Sequence, residues 1–209
     1  IKYHLGDIFF EDMSYDLLPE ITFLETQVTV DQTPWDNLWS VMTKMAKNKY
    51  SLGVRYKILK QLYDRGRKVI AISSRLDQMD KLAERFPAND VCIINNETTL
   101  KERTELVRSR KMVFAIGRLG MEGLDDDNLD TLVFLTPVGG DNTITESGKD
   151  YLGNQIRQGF GRVLRSKGKD KKPEVYFFDD IYVEPLRLLN CQAQTFLKRN
   201  NFDFKTEQI

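Results

Sequence analysis

Histidine and cysteine are scarce in this 209-residue chain: His4 is the sole histidine, and Cys92 and Cys191 are the two cysteines. A single histidine excludes triads built on an imidazole, and with two distant thiols it leaves no ligand set for zinc. Cys92 falls in an apolar strand-like run and Cys191 in a late helical run. Both read as buried structural thiols of a reducing, intracellular compartment. No apolar stretch approaches the roughly 18 residues of a membrane span, so no membrane partner is expected. Ile1-Lys2-Tyr3-His4 carries neither an initiating Met nor a signal-peptide pattern, and the expectation is a fragment whose natural start lies upstream. With 31 basic and 31 acidic residues the net charge is zero, so the whole-chain field gives no argument for nucleic acid.

Two phosphate-binding signatures are missing as well. No Gly-x-x-x-x-Gly-Lys-Ser/Thr occurs: Gly148-Lys149-Asp150 and Gly168-Lys169-Asp170 lack the first Gly and the final hydroxyl needed to cradle phosphates and hold magnesium. No Gly-x-Gly-x-x-Gly comes after the first strand, which excludes a dinucleotide-binding Rossmann domain. Val175-Tyr176-Phe177-Phe178-Asp179-Asp180 looks like an apolar strand ending in Walker B acids. Without a P-loop ahead of it, Asp179 and Asp180 read as strand-end residues.

What is present is a chain with 41% hydrophobic and 30% charged residues, enough to bury a core in one domain with appendages. Residues 1–30 hold short β-rich pieces and read as a lead-in. A helix starting at Thr33-Pro34 carries Trp35, Trp39 and Met42 at helical spacing, the Trp pair reading as packing. A second helix runs from about Val54 to Tyr63. Next come Val69–Ile72, a helix from Gln78 to Phe86, Val91–Ile94, a charged helix from Leu100 to Ser109, Met112–Ile116, Thr131–Leu135 and Val175–Phe178. Continuous apolar runs alternating with helices predict an α/β layer fold with a mostly parallel sheet. Residues 31–185 form the expected domain, and 186–209 a helical extension packed through Leu186, Leu189, Phe196 and Leu197.

Ligands of parallel sheets bind beyond the carboxyl ends of the strands, and the residues at those ends are small, hydroxylated or basic. Ser73-Ser74-Arg75, Gly117-Arg118, Glu122-Gly123-Leu124-Asp125 and Thr136-Pro137 occupy these positions. Such residues suit phosphate contacts, although each taken singly is also an ordinary turn. The most informative element is Gln158-Gly159-Phe160-Gly161-Arg162-Val163-Leu164-Arg165. At about 100° per residue, Gln155, Gln158, Arg162 and Arg165 share one stripe of a helix, and Ile156, Phe160, Val163 and Leu164 the other side. It reads as an arginine-finger helix, because a guanidinium stays charged and grips phosphate oxygens; a solvated basic helix is the alternative. Gly161 removes a side chain beside the arginines. The surrounding run carries Arg157, Arg162, Arg165, Lys167, Lys169, Lys171 and Lys172 against the single acid Asp170, with Lys167–Lys172 reading as a solvated loop or a phosphate contact.

On these residues the chain resembles the second RecA-like domain of superfamily 2 helicases and translocases. Arg67 to Arg75 resembles motif IV, Ala115 to Asp125 motif V, and Gln158 to Arg165 motif VI; the match spans roughly residues 1 to 185. Tyr3 to Glu11 is similar to the segment leaving the first RecA-like domain in the branch of XPB-like and phage UvsW-like DNA helicases. The resemblance implies a RecA-like fold and an ATP and Mg2+ site shared with, and mostly built by, an upstream RecA-like domain. It implies catalytic roles for Arg162 and Arg165, nucleotide contacts for Gln158, Gly123 and Asp125, and nucleic-acid contacts for Ser73, Arg75, Gly117 and Arg118. No metal ligand is implied within this chain, and the chain alone would be inactive. The implied partner is DNA with a branched or single-stranded region, the implied setting phage, viral or cellular. Gly117 departs from the family's usual Thr. A RecA-like scaffold without motor activity is the alternative.

Overall fold

The computed structural model describes residues 18–117, 126, 128–138, 151–164 and 171–209, the side chains of residues 151–155 and 162 apart. Among them the elements run β1 (Glu20–Thr26), α1 (Leu38–Lys47), α2 (Lys49–Asp64), β2 (Val69–Ser73), α3 (Leu76–Ala83), β3 (Val91–Ile94), α4 (Leu100–Ser109), β4 (Met112–Ile116), β5 (Thr131–Phe134), α5 (Tyr151–Leu164), β6 (Glu174–Asp180), α6 (Glu184–Arg199) and β7 (Phe204–Gln208). The strands form one sheet in the order β3-β4-β2-β5-β6-β1-β7. Every pairing is parallel.

The continuous apolar runs exist because both faces of this sheet are covered. Ile70 and Ile72 of β2 join Phe134, Phe177, Ile156, Phe160 and Ala193 in one core, under α5 and α6. Val69 and Ala71 alternate into the other, with Leu59, Leu62, Met79 and Leu82 of α2 and α3. Phe23, Phe177 and Phe134 stack across three neighbouring strands at 4.6 Å between successive centroids, each pair adding about 0.5–1.5 kcal/mol beyond area burial.

Local chemistry sets the helix ends. Asn48 both ends α1, its N–H donating to Lys44 O, and starts α2, its side chain accepting from Ser51 N. That cap moves the start of α2 five residues ahead of the expected Val54. A capping box of Thr99 and Glu102 opens α4.

Several segments sit differently from the sequence reading. Glu20–Thr26, assigned to the lead-in, is an inner strand between β6 and β7. The 185/186 boundary falls inside α6, whose Leu186, Leu189, Phe196 and Leu197 are all buried, and β7 completes the same sheet. The Trp pair does not pack: α1 starts only at Leu38 because Asn37 caps it, so Trp35 stays in the preceding turn, 92% exposed, with Trp39 at 60%. The inward stripe of α1 is Val41, Met42, Met45 and Ala46. Cys191 is exposed, off the buried stripe of α6, whereas Cys92 is half-buried and burial pushes its thiol up to about 12. No helix among the described residues is long and apolar enough to cross a membrane.

Candidate nucleotide and nucleic-acid interface

The chain leaves β2 toward β3 on one side of the sheet and leaves β5 toward β6 on the other, although β2 and β5 are neighbours. That divergence marks the crevice position beyond their carboxyl ends, the place where parallel sheets hold ligands. Two bonds tie its walls together: Leu135 N donates to Ile72 O at 2.8 Å, and Ser74 N donates to Thr136 Oγ1 at 3.0 Å.

Motif IV supplies one wall. Ser73 is fully buried; its hydroxyl donates to Gln78 Oε1 at 2.8 Å and accepts from Arg75 N at 3.0 Å. Ser73 therefore shapes the turn into α3 and presents no hydroxyl to solvent, and the Ser74 hydroxyl also turns inward, donating to Sδ of the buried Met42 at 3.4 Å. Arg75 reaches α1: its guanidinium carbon lies 4.9 Å from the Trp39 ring centroid, and Nη2 donates to Trp39 O. Arg75 Nε is buried without a partner.

At the end of β4, Gly117 has φ +37. A β-branched residue is strained there, so the departure from Thr goes with this backbone conformation. Arg118, Gly123 and Asp125 lie outside the described residues. Asp126, next in sequence, is fixed at the amino end of β2 by Lys68; burial works against its charged form, but the bonds from Lys68 and Asn128 outweigh it and hold the carboxyl below its usual range.

Motif VI begins inside α5, as the periodicity predicts. Ile156, Phe160 and Val163 are buried and Gln158 is exposed. Arg162 occupies the helix one turn after Gln158; its side chain, and all of Arg165, fall outside the described residues. The glycine that packing requires is Gly159: a Cβ there would lie 2.9 Å from Leu132 Cδ2 and 3.3 Å from Phe134 Cζ, whereas one at Gly161 would meet nothing within 4 Å. Arg157 is turned to structure, with its guanidinium over Phe196 and a bond to Asn200. In the basic loop Lys171 Nζ donates to Gly66 O at 2.7 Å.

The same fold is found in solved structures of very different sequence. T4 UvsW superposes with a TM-score of 0.66 at 10% identity over 92% of this chain, which spans only 41% of that protein's length. The fold is RecA-like. Two further neighbours carry this RecA-like domain: the C-terminal domain of S. cerevisiae Dbp5, solved with Gle1 and IP6 (TM-score 0.56, 13% identity, 91% of this chain and 90% of that one), and Mss116p DEAD-box helicase domain 2 bound to an RNA duplex (0.52, 12%, 91% and 64%). No protein-family model and no curated protein matches the sequence.

Sequence reasoning missed Arg55, the largest fully buried side chain of this RecA-like domain. From α2 it donates to Asp180 Oδ2 at 2.7 Å, to Leu135 O at 2.9 Å and to Ser51 Oγ at 2.8 Å. Thr26 Oγ1 donates to Asp180 Oδ1 at 2.7 Å. Arg55 thus clamps the carboxyl ends of β5, β6 and β1. Asp180 is spoken for by this clamp, and Asp179 accepts from Asn190 Nδ2 at 3.1 Å, so both strand-end acids have partners within the fold. Among the described residues no group of His, Cys, Asp or Glu is placed to hold one.

Proposed function

We propose that this chain is the C-terminal motor domain of an ATP-dependent DNA helicase or translocase, supplying arginine fingers to an ATP site shared with an upstream RecA-like domain. The observation that carries this reading is the seating of α5: Ile156, Gly159, Phe160 and Val163 fasten it to the sheet beside β5 while Gln158, first residue of the motif, faces solvent. A helix fastened to the sheet in this way suits a group that must meet a nucleotide held by another domain. In this reading Arg162 and Arg165 stabilise charge developing on the transferred phosphoryl group, and Gln158, Gly123 and Asp125 line the cleft. Mg2+ and most of the ATP contacts belong to the upstream domain. Arg75, Gly117 and Arg118 contact the nucleic-acid backbone at the strand ends, while the buried Ser73 shapes the turn that presents Arg75. Closing and reopening of the interdomain cleft steps the protein along the strand.

Arginine fingers account for about 4–7 kcal/mol of transition-state stabilisation. Arg162→Ala or Arg165→Ala, made in the protein with its upstream domain, therefore lowers ATP turnover roughly a thousandfold or more and leaves DNA binding intact. Turnover like that of the wild type in either variant removes that arginine from the mechanism. The alternative, a RecA-like scaffold, draws on Gly117 standing where the family usually has Thr; on that reading the wild type itself hydrolyses no ATP.

A further inference from the structure

Trp35 and Trp39 stand in solvent although almost everything beneath them is rigidly built. Asp36 holds the Trp35 turn: its carboxylate accepts from Thr33 N at 2.7 Å, Thr33 Oγ1 at 3.1 Å and Lys44 Nζ at 2.6 Å. The hydrogen bond from Lys44, then those from Ser40 and Thr33, hold the Asp36 carboxyl well below the usual carboxylate range. Asn37 then caps α1 through Ser40 N at 2.9 Å. Trp39 lies in the first turn of that helix, and its carbonyl accepts from Thr43 Oγ1 at 2.8 Å and from Arg75. Large aromatics left exposed on an ordered frame mark a surface that meets a partner.

The surroundings decide which partner. The stripe continuing from Trp39 along α1 is Thr43 and Lys47, and the α1–α2 junction exposes Lys49 and Tyr50. A protein interface has an apolar centre, whereas the exposed neighbours of these rings among the described residues of this stretch are mostly polar: Asp31, Gln32, Thr33, Asn37, Lys47 and Lys49. Lys44 and Asp36 pair with one another, which leaves Lys47 and Lys49 against Asp31 along residues 31–50, and Arg75 joins them from the start of α3. Aromatic faces interleaved with cations are the construction that holds single-stranded nucleic acid, bases on rings and phosphates on cations. The patch is also continuous with the end of β2, from which Arg75 reaches the Trp39 ring and carbonyl.

We infer that Trp35 and Trp39, with Arg75, form a base-stacking platform for a single strand leaving the strand-end crevice. The inference rests on the nucleic-acid reading proposed above and adds to it two residues outside motifs IV, V and VI. The chain holds two tryptophans in all, so tryptophan fluorescence, excited beyond the absorption band of its eight tyrosines, reports on this platform. Titrating the protein at low salt with a dT 12-mer or a U 12-mer is expected to quench that fluorescence, the two arms telling DNA from RNA. Trp39→Ala should weaken binding about 5- to 100-fold, Trp39→Phe should retain most of it, and Trp35→Ala should weaken it to a smaller degree. Trp35→Ala should melt with the wild type, and Trp39→Ala, which removes the ring under Arg75, should melt no more than about 2–4 °C below it. Binding by anisotropy of a labelled 12-mer without quenching, or with unchanged affinity in Trp39→Ala, overturns the platform and leaves the nucleic-acid reading standing; a protein surface would then explain the rings. No binding by the wild type overturns both.

Discussion

Replacing Gly159 and Gly161 of α5 by alanine, one at a time, separates what the fold demands from what an ATP site would demand. Alanine is worth up to about 1 kcal/mol over glycine inside a helix. At Gly161 nothing described lies within 4 Å of the new methyl, so Gly161→Ala should gain that amount and raise Tm by about 2–4 °C for a chain of this size. At Gly159 the methyl would sit 2.9 Å from Leu132 Cδ2 and 3.3 Å from Phe134 Cζ, and both residues are buried in a sheet covered on its other face. Relief requires a new Leu132 rotamer or a shift of α5, and overpacking of this kind costs about 1–3 kcal/mol. Set against the helix gain, Gly159→Ala should lose about 0–2 kcal/mol, and Gly159→Val more. Urea unfolding monitored by circular dichroism reads both values. Under the proposed function Gly161→Ala also lowers ATP turnover despite its greater stability, because the open side of α5 is where the nucleotide and upstream domain would approach. Equal stabilisation by the two alanines would refute the packing argument.

The same contacts dictate three further outcomes. Arg55→Met strands Asp180, which is fully buried, and should cost about 3–5 kcal/mol with an unchanged urea m-value; adding Asp180→Asn should recover part of the loss, because no buried charge then remains. Asp179 has its pKa raised, by burial first and then by the charges of Asp180 and Glu25, against the opposing bond from Asn190. Its protonated form is the one the fold favours, so its stability contribution is full below about pH 4 and is lost as pH rises through the raised value. Asp179→Asn should therefore stabilise the protein near neutral pH, with a gain in Tm that vanishes in acid, and should leave ATP turnover intact. Cys191, exposed on α6, should react with a thiol reagent in the native protein, while Cys92, with its thiol pushed up to about 12, should react only on unfolding.

The parallel sheet was legible because both its faces are covered, which writes each strand as an unbroken apolar run such as Met112–Ile116. The inward face of α5 was legible from the spacing of Ile156, Phe160 and Val163. The features that stayed hidden depend on contacts distant in sequence. Nothing near Arg55 announces a partner at Asp180, 125 residues on. That the Ser73 hydroxyl has its partner five residues away on α3, and that Arg75 reaches Trp39 on α1, follows from contacts the local sequence does not announce. The Trp pair misled because periodicity 35–39–42 matches a helix, yet Asn37 delays that helix until both rings stand outside the core. Gly159 and Gly161 look alike in sequence; the side chains of β5 alone tell them apart.

If this RecA-like domain is one half of a motor, ATP hydrolysis by the protein joined to its upstream domain, with and without forked DNA, is the decisive measurement. Turnover is expected to rise when DNA is added and to be absent from the 209-residue chain by itself. A joined protein that binds DNA and hydrolyses no ATP under either condition would contradict the motor reading and leave a nucleic-acid-binding scaffold in its place.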